Sequence, residues 1–164
     1  MSDTEPMVWF AMRATYGRNL EAKKMLDETG VESYIPMHHV ISLGKGGRKI
    51  KKYVPVVRDL VFVRTTKDGM LSIKESVDYL RNIYIPTAEG KKQIVVVPDQ
   101  RMDSFMMVAG AQNEGIMYFR PDEINVAKGT KVRIHGGPYD GLEGSFLKVK
   151  GAREKRVVVE ISGV

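Results

Sequence analysis

The apolar run Val8-Trp9-Phe10-Ala11-Met12 has no polar alternation, which predicts a central strand buried on both faces. Arg13 to Arg18 reads as a turn, and Asn19 is placed to cap a helix through its short side chain. Ala22, Met25, Leu26 and Thr29 then recur at i, i+3, i+4 and i+7, one helical face that stops at Gly30. Ser33 to Pro36 reads as a short strand. Val40 to Leu43 and Ile50 to Val57 flank Gly44 to Lys49, which predicts a β-hairpin with a flexible basic tip. Leu60 to Val63 is a second fully apolar strand. Ser72 and Glu75 fit a capping box, with Ile73, Val77 and Leu80 on one face. Asn82 to Ile85 and Ile94 to Val97 read as strands around a loop. Asp99 opens a third helix with Met102, Phe105, Met106 and Ala109 on one face, stopped at Gly110. The methionines there fit core packing better than an adaptable binding face.

From Gln112 to Ala127 no period is visible, apart from a candidate short strand at Met117 to Phe119, and the stretch reads as a linker. Beyond it the pattern is strand only. Val132 and Ile134 alternate with Lys131, Arg133 and His135. A glycine corner at Gly136-Gly137-Pro138 follows, then Asp140-Gly141 and Gly144. Two apolar runs, Phe146 to Val149 and Val157 to Ile161, close the chain around a Lys150-Gly151 turn. Alternating helices and strands followed by strands alone predict an α+β front domain over residues 7–110, a linker over 111–127 and a small β-barrel over 128–164.

Composition narrows the class. The 164 residues are 43% hydrophobic, enough for a packed core, and no apolar run is long enough to span a membrane. The acidic, polar Met1 to Pro6 does not fit a secretory signal. The absence of cysteine removes disulfides, thiolate metal sites and cysteine nucleophiles, and suits a cytoplasmic setting. A net charge of +6 points to a polyanionic partner. Its distribution says more: Met37 to Arg58 holds six Lys or Arg and no acid.

At Lys128 to Gly144 the tail resembles a KOW motif, the SH3-like module of transcription elongation factors and some ribosomal proteins. The front half resembles the amino-terminal (NGN) domain of NusG-type factors. Four features carry this: the Val8 to Met12 strand followed by Gly17 and a helix; a strand ending at Pro36 before a basic hairpin; the Pro55-Val56-Val57-Arg58-Asp59-Leu60-Val61-Phe62-Val63 segment, similar to the family's Pro-Leu-Phe-Pro-Gly-Tyr-Val-Phe-Val; and Ile94 to Asp99 leading into the last helix. The resemblance implies a ferredoxin-like antiparallel sheet with three helices, then an SH3-like barrel. The chain departs from the family at Val57-Arg58-Asp59-Leu60, where the family has Phe-Pro-Gly-Tyr. That departure is similar to the UpxY-like group, antiterminators of polysaccharide operons. The tail reaches Val164 before a closing strand, which would leave an unpaired sheet edge. The expectation is a natural chain that continues, the alternative a barrel completed by other means.

What the resemblance implies is a non-catalytic, monomeric factor, without cofactor, that grips the clamp region of RNA polymerase and suppresses pausing or termination. Carried over by motif position, Arg13, Tyr16, Val57, Arg58 and Leu60 would face polymerase. Trp9 and Phe62 match family positions too, but sit inside apolar strands and read better as core. Lys45, Arg48, Lys49, Lys51 and Lys52 would contact non-template DNA or nascent RNA, with Arg18 and Lys23 extending the patch; a solvated hairpin tip is the plainer alternative. Tyr139 and Ser162 fall where the family docks a ribosomal protein or termination factor, although Tyr139 fits equally well over the barrel end. Lys148, Lys150, Arg153, Lys155 and Arg156 suit an RNA contact or, more simply, a charged hairpin face.

Enzymatic readings find little support. His38 and His39 are adjacent and point to opposite faces if extended, and His135 stands far along the chain. Gly44-Lys45-Gly46-Gly47 lacks the strand-then-helix context of a phosphate loop, and no Gly-x-Ser-x-Gly elbow occurs. The rival from another class is a KOW-containing ribosome- or RNA-binding protein acting away from polymerase. The valines and glycines of the tail also predict that it stays β rather than helical.

Overall fold

The structure, a computed structural model, describes residues 5–110, 130–135, 141–148 and 155–158. The chain divides into two compact units, the first ending at Asp99 and the second beginning at Gln100.

In the first unit β1 (Val8–Ala14) is the middle strand of an antiparallel sheet. A 3₁₀ turn (Thr15–Gly17) leads into α1 (Asn19–Glu28), β2 (Glu32–Tyr34), and a separate hairpin of β3 (Met37–Leu43) and β4 (Lys49–Pro55). Then come β5 (Leu60–Thr65), α2 (Lys67–Ser76), β6 (Leu80–Asn82), a small hairpin of β7 (Tyr84–Pro86) and β8 (Lys92–Ile94), and β9 (Val96–Val97). The main sheet runs β2-β5-β1-β6, with β9 also against β1. β1 and β5 pair along their length, from Val8↔Thr65 to Arg13↔Leu60.

The apolar runs behave as their lack of alternation predicts. Phe10, Met12 and Ala14 share a face with Val61 and Val63, and Ala22 and Leu26 of α1 and Met70 of α2 pack onto it. Trp9, Ala11, Leu60 and Phe62 form the opposite face and are buried as well. Of the face expected on α1, Ala22 and Leu26 go in while Met25 stays on the surface. Gly30 ends the helix with φ +76°: its N–H donates to the Asp27 carbonyl at 3.1 Å and the Val31 N–H to the Leu26 carbonyl at 2.9 Å, a Schellman closure.

Three expectations change. Asn19 is not the cap of α1: Arg18 occupies that position, and Asn19 is buried inside the first turn. The second helix begins at Lys67, earlier than a Ser72 cap would allow. Thr66 caps it, accepting from the Gly69 N–H at 3.0 Å, and Ser72 lies mid-helix with its carbonyl bonded by the Ser76 hydroxyl. A Cβ at Gly69 would run into the Thr65 hydroxyl, so a turn-forming residue sits inside a helix to allow this close approach. The strands expected at Asn82–Ile85 and Ile94–Val97 each divide in two. β6 and β9 lie on β1, whereas β7 and β8 pair with each other. The junction is Ala11, whose N–H donates to the Val95 carbonyl and whose carbonyl accepts from the Ile83 N–H, while the Val95 N–H donates to Ile83.

α3 (Asp99–Gly110) buries Met102 and Ala109 of its expected face. In the second unit β10 (Thr130–Arg133), β11 (Glu143–Lys148) and β12 (Lys155–Val158) form an antiparallel sheet in that order. Arg133 and Glu143 face each other across it and form a 2.6 Å ion pair. The Gly141 N–H donates to the Ile134 carbonyl with Gly141 at φ +84°, and the Ile134 N–H to the Leu142 carbonyl. The described parts of the tail are thus strands. The linker over 111–127 with its strand at 117–119, the corner at 136–140 with Tyr139, the turn at Lys150-Gly151, Arg153 and Ser162 lie outside the described residues.

Candidate functional site

Two surfaces of the first unit carry the candidate residues that lie ahead of the tail. The first lies where β1 turns into α1 beside the loop ahead of β5. Tyr16 adopts φ 61°, ψ 27°, the left-handed region that a bulky L-residue enters only at a cost of about 1–3 kcal/mol, and its side chain is 89% exposed. Gly17 follows at φ +68°, where glycine is at ease. The flanks hold this conformation: the Ala14 N–H donates to the Asp59 carbonyl at 2.7 Å and the Thr15 N–H to the Tyr79 carbonyl at 3.0 Å.

The neighbouring loop is held just as firmly. Asn19, 1% exposed, donates through Nδ2 to the carbonyls of Val57 at 3.2 Å and Leu60 at 3.0 Å. The Val56 N–H donates to the Pro36 carbonyl at 2.8 Å. Arg13 and Asp59 form an ion pair at 3.3 Å. Arg58 lies across Gly17 so closely that a Cβ there would stand 2.5 Å from its Nε. Arg13 at the end of β1, and Tyr16, Val57 and Arg58 on the two adjoining loops, are exposed side by side on shared supports. Leu60 does not join them: it opens β5 with 4% of its surface exposed and belongs to the core, so its side chain is withheld from any partner. Trp9 and Phe62 are buried, as apolar-strand residues should be. Gly17, Asn19 and Asp59 are positioning residues; the sequence places Gly17 and Asp59 in family-like segments and Asn19 at a helix cap, without this role for any of them. The one visible signal was a polar Asn19 ahead of an apolar helix face.

Arg18 and Lys23 are committed to contacts inside the unit. Arg18 makes a two-pronged pair with Glu21 at 2.8 and 3.1 Å and lies 3.8 Å over the Tyr79 ring. That bond holds the Glu21 carboxyl below its usual range and raises Arg18, while burial pushes the Tyr79 hydroxyl up. Lys23 Nζ reaches Asp27 at 3.3 Å and both the carbonyl and hydroxyl of Ser33 at 3.2 Å, tying α1 to β2.

The second surface is the β3–β4 hairpin. Its tip is a closed turn: the Gly44 N–H donates to the Arg48 carbonyl at 2.7 Å and the Gly47 N–H to the Gly44 carbonyl at 3.2 Å, with Gly46 and Gly47 at positive φ. Lys45 and Arg48 are exposed at that tip. Register places Lys49 opposite Leu43 and Lys51 opposite Ile41 on one face, and Lys52 opposite Val40 on the other. The structure thus gathers all five cations on one hairpin and adds what charge counting missed, a set of uncovered apolar neighbours. Ile41 is 72% and Leu43 76% exposed. Among the described residues no helix is long and apolar enough to cross a membrane.

The family model described as transcription termination factor nusG matches residues 7–106. No curated protein matches the chain. That match takes in the whole main sheet with α1 and α2, the helices packed on it, and covers more than half of the 164 residues; the chain belongs to the NusG family of transcription factors.

Proposed function

We propose that the chain is a non-catalytic elongation or antitermination factor that binds the clamp region of RNA polymerase through Arg13, Tyr16, Val57 and Arg58. The observation that carries this is the left-handed, almost fully exposed Tyr16 beside a loop pinned by Asn19. Backbone strain held by hydrogen bonds at an exposed aromatic is a mark of a binding site. Tyr and Arg are the residue types that dominate interface energetics, and a surface ordered before binding loses little entropy on docking. By preferring the closed clamp, such a ligand shifts polymerase towards it and away from paused or terminating states. Arg58-Asp59, in place of the family's Pro-Gly, supports a specialised factor of the UpxY-like kind, serving polysaccharide operons. The hairpin cations supply a contact to non-template DNA. The tail serves as a KOW adaptor for a partner such as a ribosomal protein or termination factor.

Val57 is exposed while its carbonyl is anchored by Asn19, so Val57→Asp alters the surface and leaves the loop in place. A carboxylate buried unpaired in an apolar contact weakens binding by roughly tenfold or more. In a co-purification assay the full chain is expected to retain core RNA polymerase and the Val57→Asp chain to lose it, with unchanged circular dichroism. A chain that ignores polymerase yet shifts structured RNA with a steep salt dependence would be a ribosome- or RNA-binding protein instead.

A further inference from the structure

Between β4 and β5 the chain turns through Val57-Arg58-Asp59-Leu60, with the Leu60 N–H donating to the Val57 carbonyl at 3.4 Å. Arg58 and Asp59 are the two corner residues, where the family's Pro-Gly carries no charge. The corner is held at both ends, because the Asn19 amide bonds the Val57 and Leu60 carbonyls. The two charges are used differently. Asp59 is taken by Arg13 at 3.3 Å. Arg58 runs back over the turn ahead of α1: a Cβ on Gly17 would stand 2.5 Å from its Nε, 3.1 Å from its Cγ and 3.3 Å from its Cζ. Stem and head thus lie along the Gly17 backbone, next in the chain to the exposed Tyr16. Among the described residues Arg58 forms no ion pair, whereas Arg13 and Arg18 each have a carboxylate.

We propose that Arg58 is the specificity-determining residue of this surface and pairs with a carboxylate on the clamp region of polymerase. This pairing rests on the reading of Arg13, Tyr16, Val57 and Arg58 as the polymerase contact, and adds the chemistry that contact selects. A guanidinium presents its donors in a planar fork that matches the two oxygens of a carboxylate. Held against a backbone, it has fewer rotamers to lose on binding. The neighbouring acids are already engaged, Asp59 with Arg13 and Glu21 with Arg18. The Arg13–Asp59 pair adds no net charge, so the corner offers one positive charge to a partner. Val57, 44% exposed, offers a phosphate backbone no bond but buries well against a protein side chain. An Arg flanked by an aromatic and an aliphatic side chain has the make-up of a protein-interface anchor. A Pro-Gly corner makes no demand of this kind. A guanidinium stripped of water without a carboxylate to meet it costs binding, so Arg58 rejects an unmatched surface as well as accepting a matched one.

The full chain is titrated against core RNA polymerase at several salt concentrations, beside Arg58→Ala, Arg58→Gln, Arg58→Lys and Arg58→Glu. Circular dichroism confirms that the variants fold. Arg58→Ala and Arg58→Gln are expected to weaken binding roughly tenfold and to flatten its salt dependence. Arg58→Lys recovers part of the loss, since the charge remains and the fork does not. Arg58→Glu binds more weakly than Arg58→Ala, because it sets two carboxylates against each other. If Arg58→Glu binds as tightly as Arg58→Ala, or Arg58→Gln as tightly as the parent, the side chain packs rather than pairs, which overturns the ion pair. Parent-like binding by all four variants, with loss in Val57→Asp, overturns it too and leaves the polymerase surface standing. If the parent itself does not bind polymerase, the surface has been misread and the pairing falls with it. Intact polymerase binding with weakened binding to a DNA duplex on Arg58→Glu assigns the guanidinium to phosphate instead.

Discussion

Asn19 shows how much one amide can position. Its Nδ2 satisfies the Val57 and Leu60 carbonyls, and its Oδ1 accepts from the Leu20 N–H at 3.1 Å. Asn19→Ala leaves two carbonyls without that donor beside a small void and is expected to destabilise the chain by about 1–3 kcal/mol, read as a lower denaturation midpoint. Asn19→Asp should be worse. It conserves shape but replaces the donor by a buried carboxylate facing two carbonyls. If Asp is tolerated better than Ala, the side chain is serving the helix N-terminus rather than the loop. This role was hidden in the sequence because an Asn before an apolar helix face fits a local cap equally well, and its real partners lie some forty residues downstream. Leu60 was misplaced for the converse reason: a family motif marks a segment, and only the pleat decides which of its side chains face out.

At the scale of elements, the start of α3 carries a pH signature. Arg64 on β5 bonds both oxygens of Asp99 at 3.2 and 3.0 Å, and this holds the Asp99 carboxyl below its ordinary value. A depressed carboxyl adds stability that is complete above the ordinary aspartate value, about 3.9, and is lost as pH falls through the lower folded value. Asp99→Asn keeps the shape and removes the charge. Its melting temperature should sit slightly below that of the parent from neutral pH down to about pH 5, and the gap should close below about pH 4. A gap that persists under acid assigns the effect to geometry rather than charge. Elements with a strong pattern were legible. The apolar Val8 to Met12 and Leu60 to Val63 runs, the Gly30 stop and the basic hairpin all stand close to where periodicity puts them. The start of α2 was not, because Ser72 and Glu75 match a capping box, while the true cap, Thr66, is followed by a Gly69 whose place in a helix makes sense only once Thr65 is seen filling the space a Cβ would need. Nor were the split strands. Ile83 and Val95 look like mid-strand residues, and only their bonding to Ala11 shows that the β7–β8 hairpin leaves the sheet between them.

For the whole molecule, a net charge of +6 is less informative than where cations lack acid neighbours. Arg13, Arg18, Lys23, Arg64 and Arg133 each have a carboxylate within 4.0 Å and contribute little field to a ligand. The hairpin sequence contains no acid, so the balance of charge concentrates there. Each phosphate neutralised on a single strand steepens the fall of log affinity with log salt by about 0.7. The parent should therefore show a linear decline. Replacing Lys49 and Lys51 together should make it shallower by about 1.4, while Lys23→Ala leaves the slope alone because that ammonium is already paired. Fluorescence titrations at several salt concentrations decide it. If the slope survives loss of both hairpin lysines but falls on replacing Lys148 and Lys155, the polyanion sits on the tail. The first unit would then be an instrument of polymerase contact alone. If it falls as predicted, the hairpin of this unit is the DNA contact, apart from the polymerase surface proposed at Arg13, Tyr16, Val57 and Arg58. A factor so built would hold both ends of one complex through rigid elements.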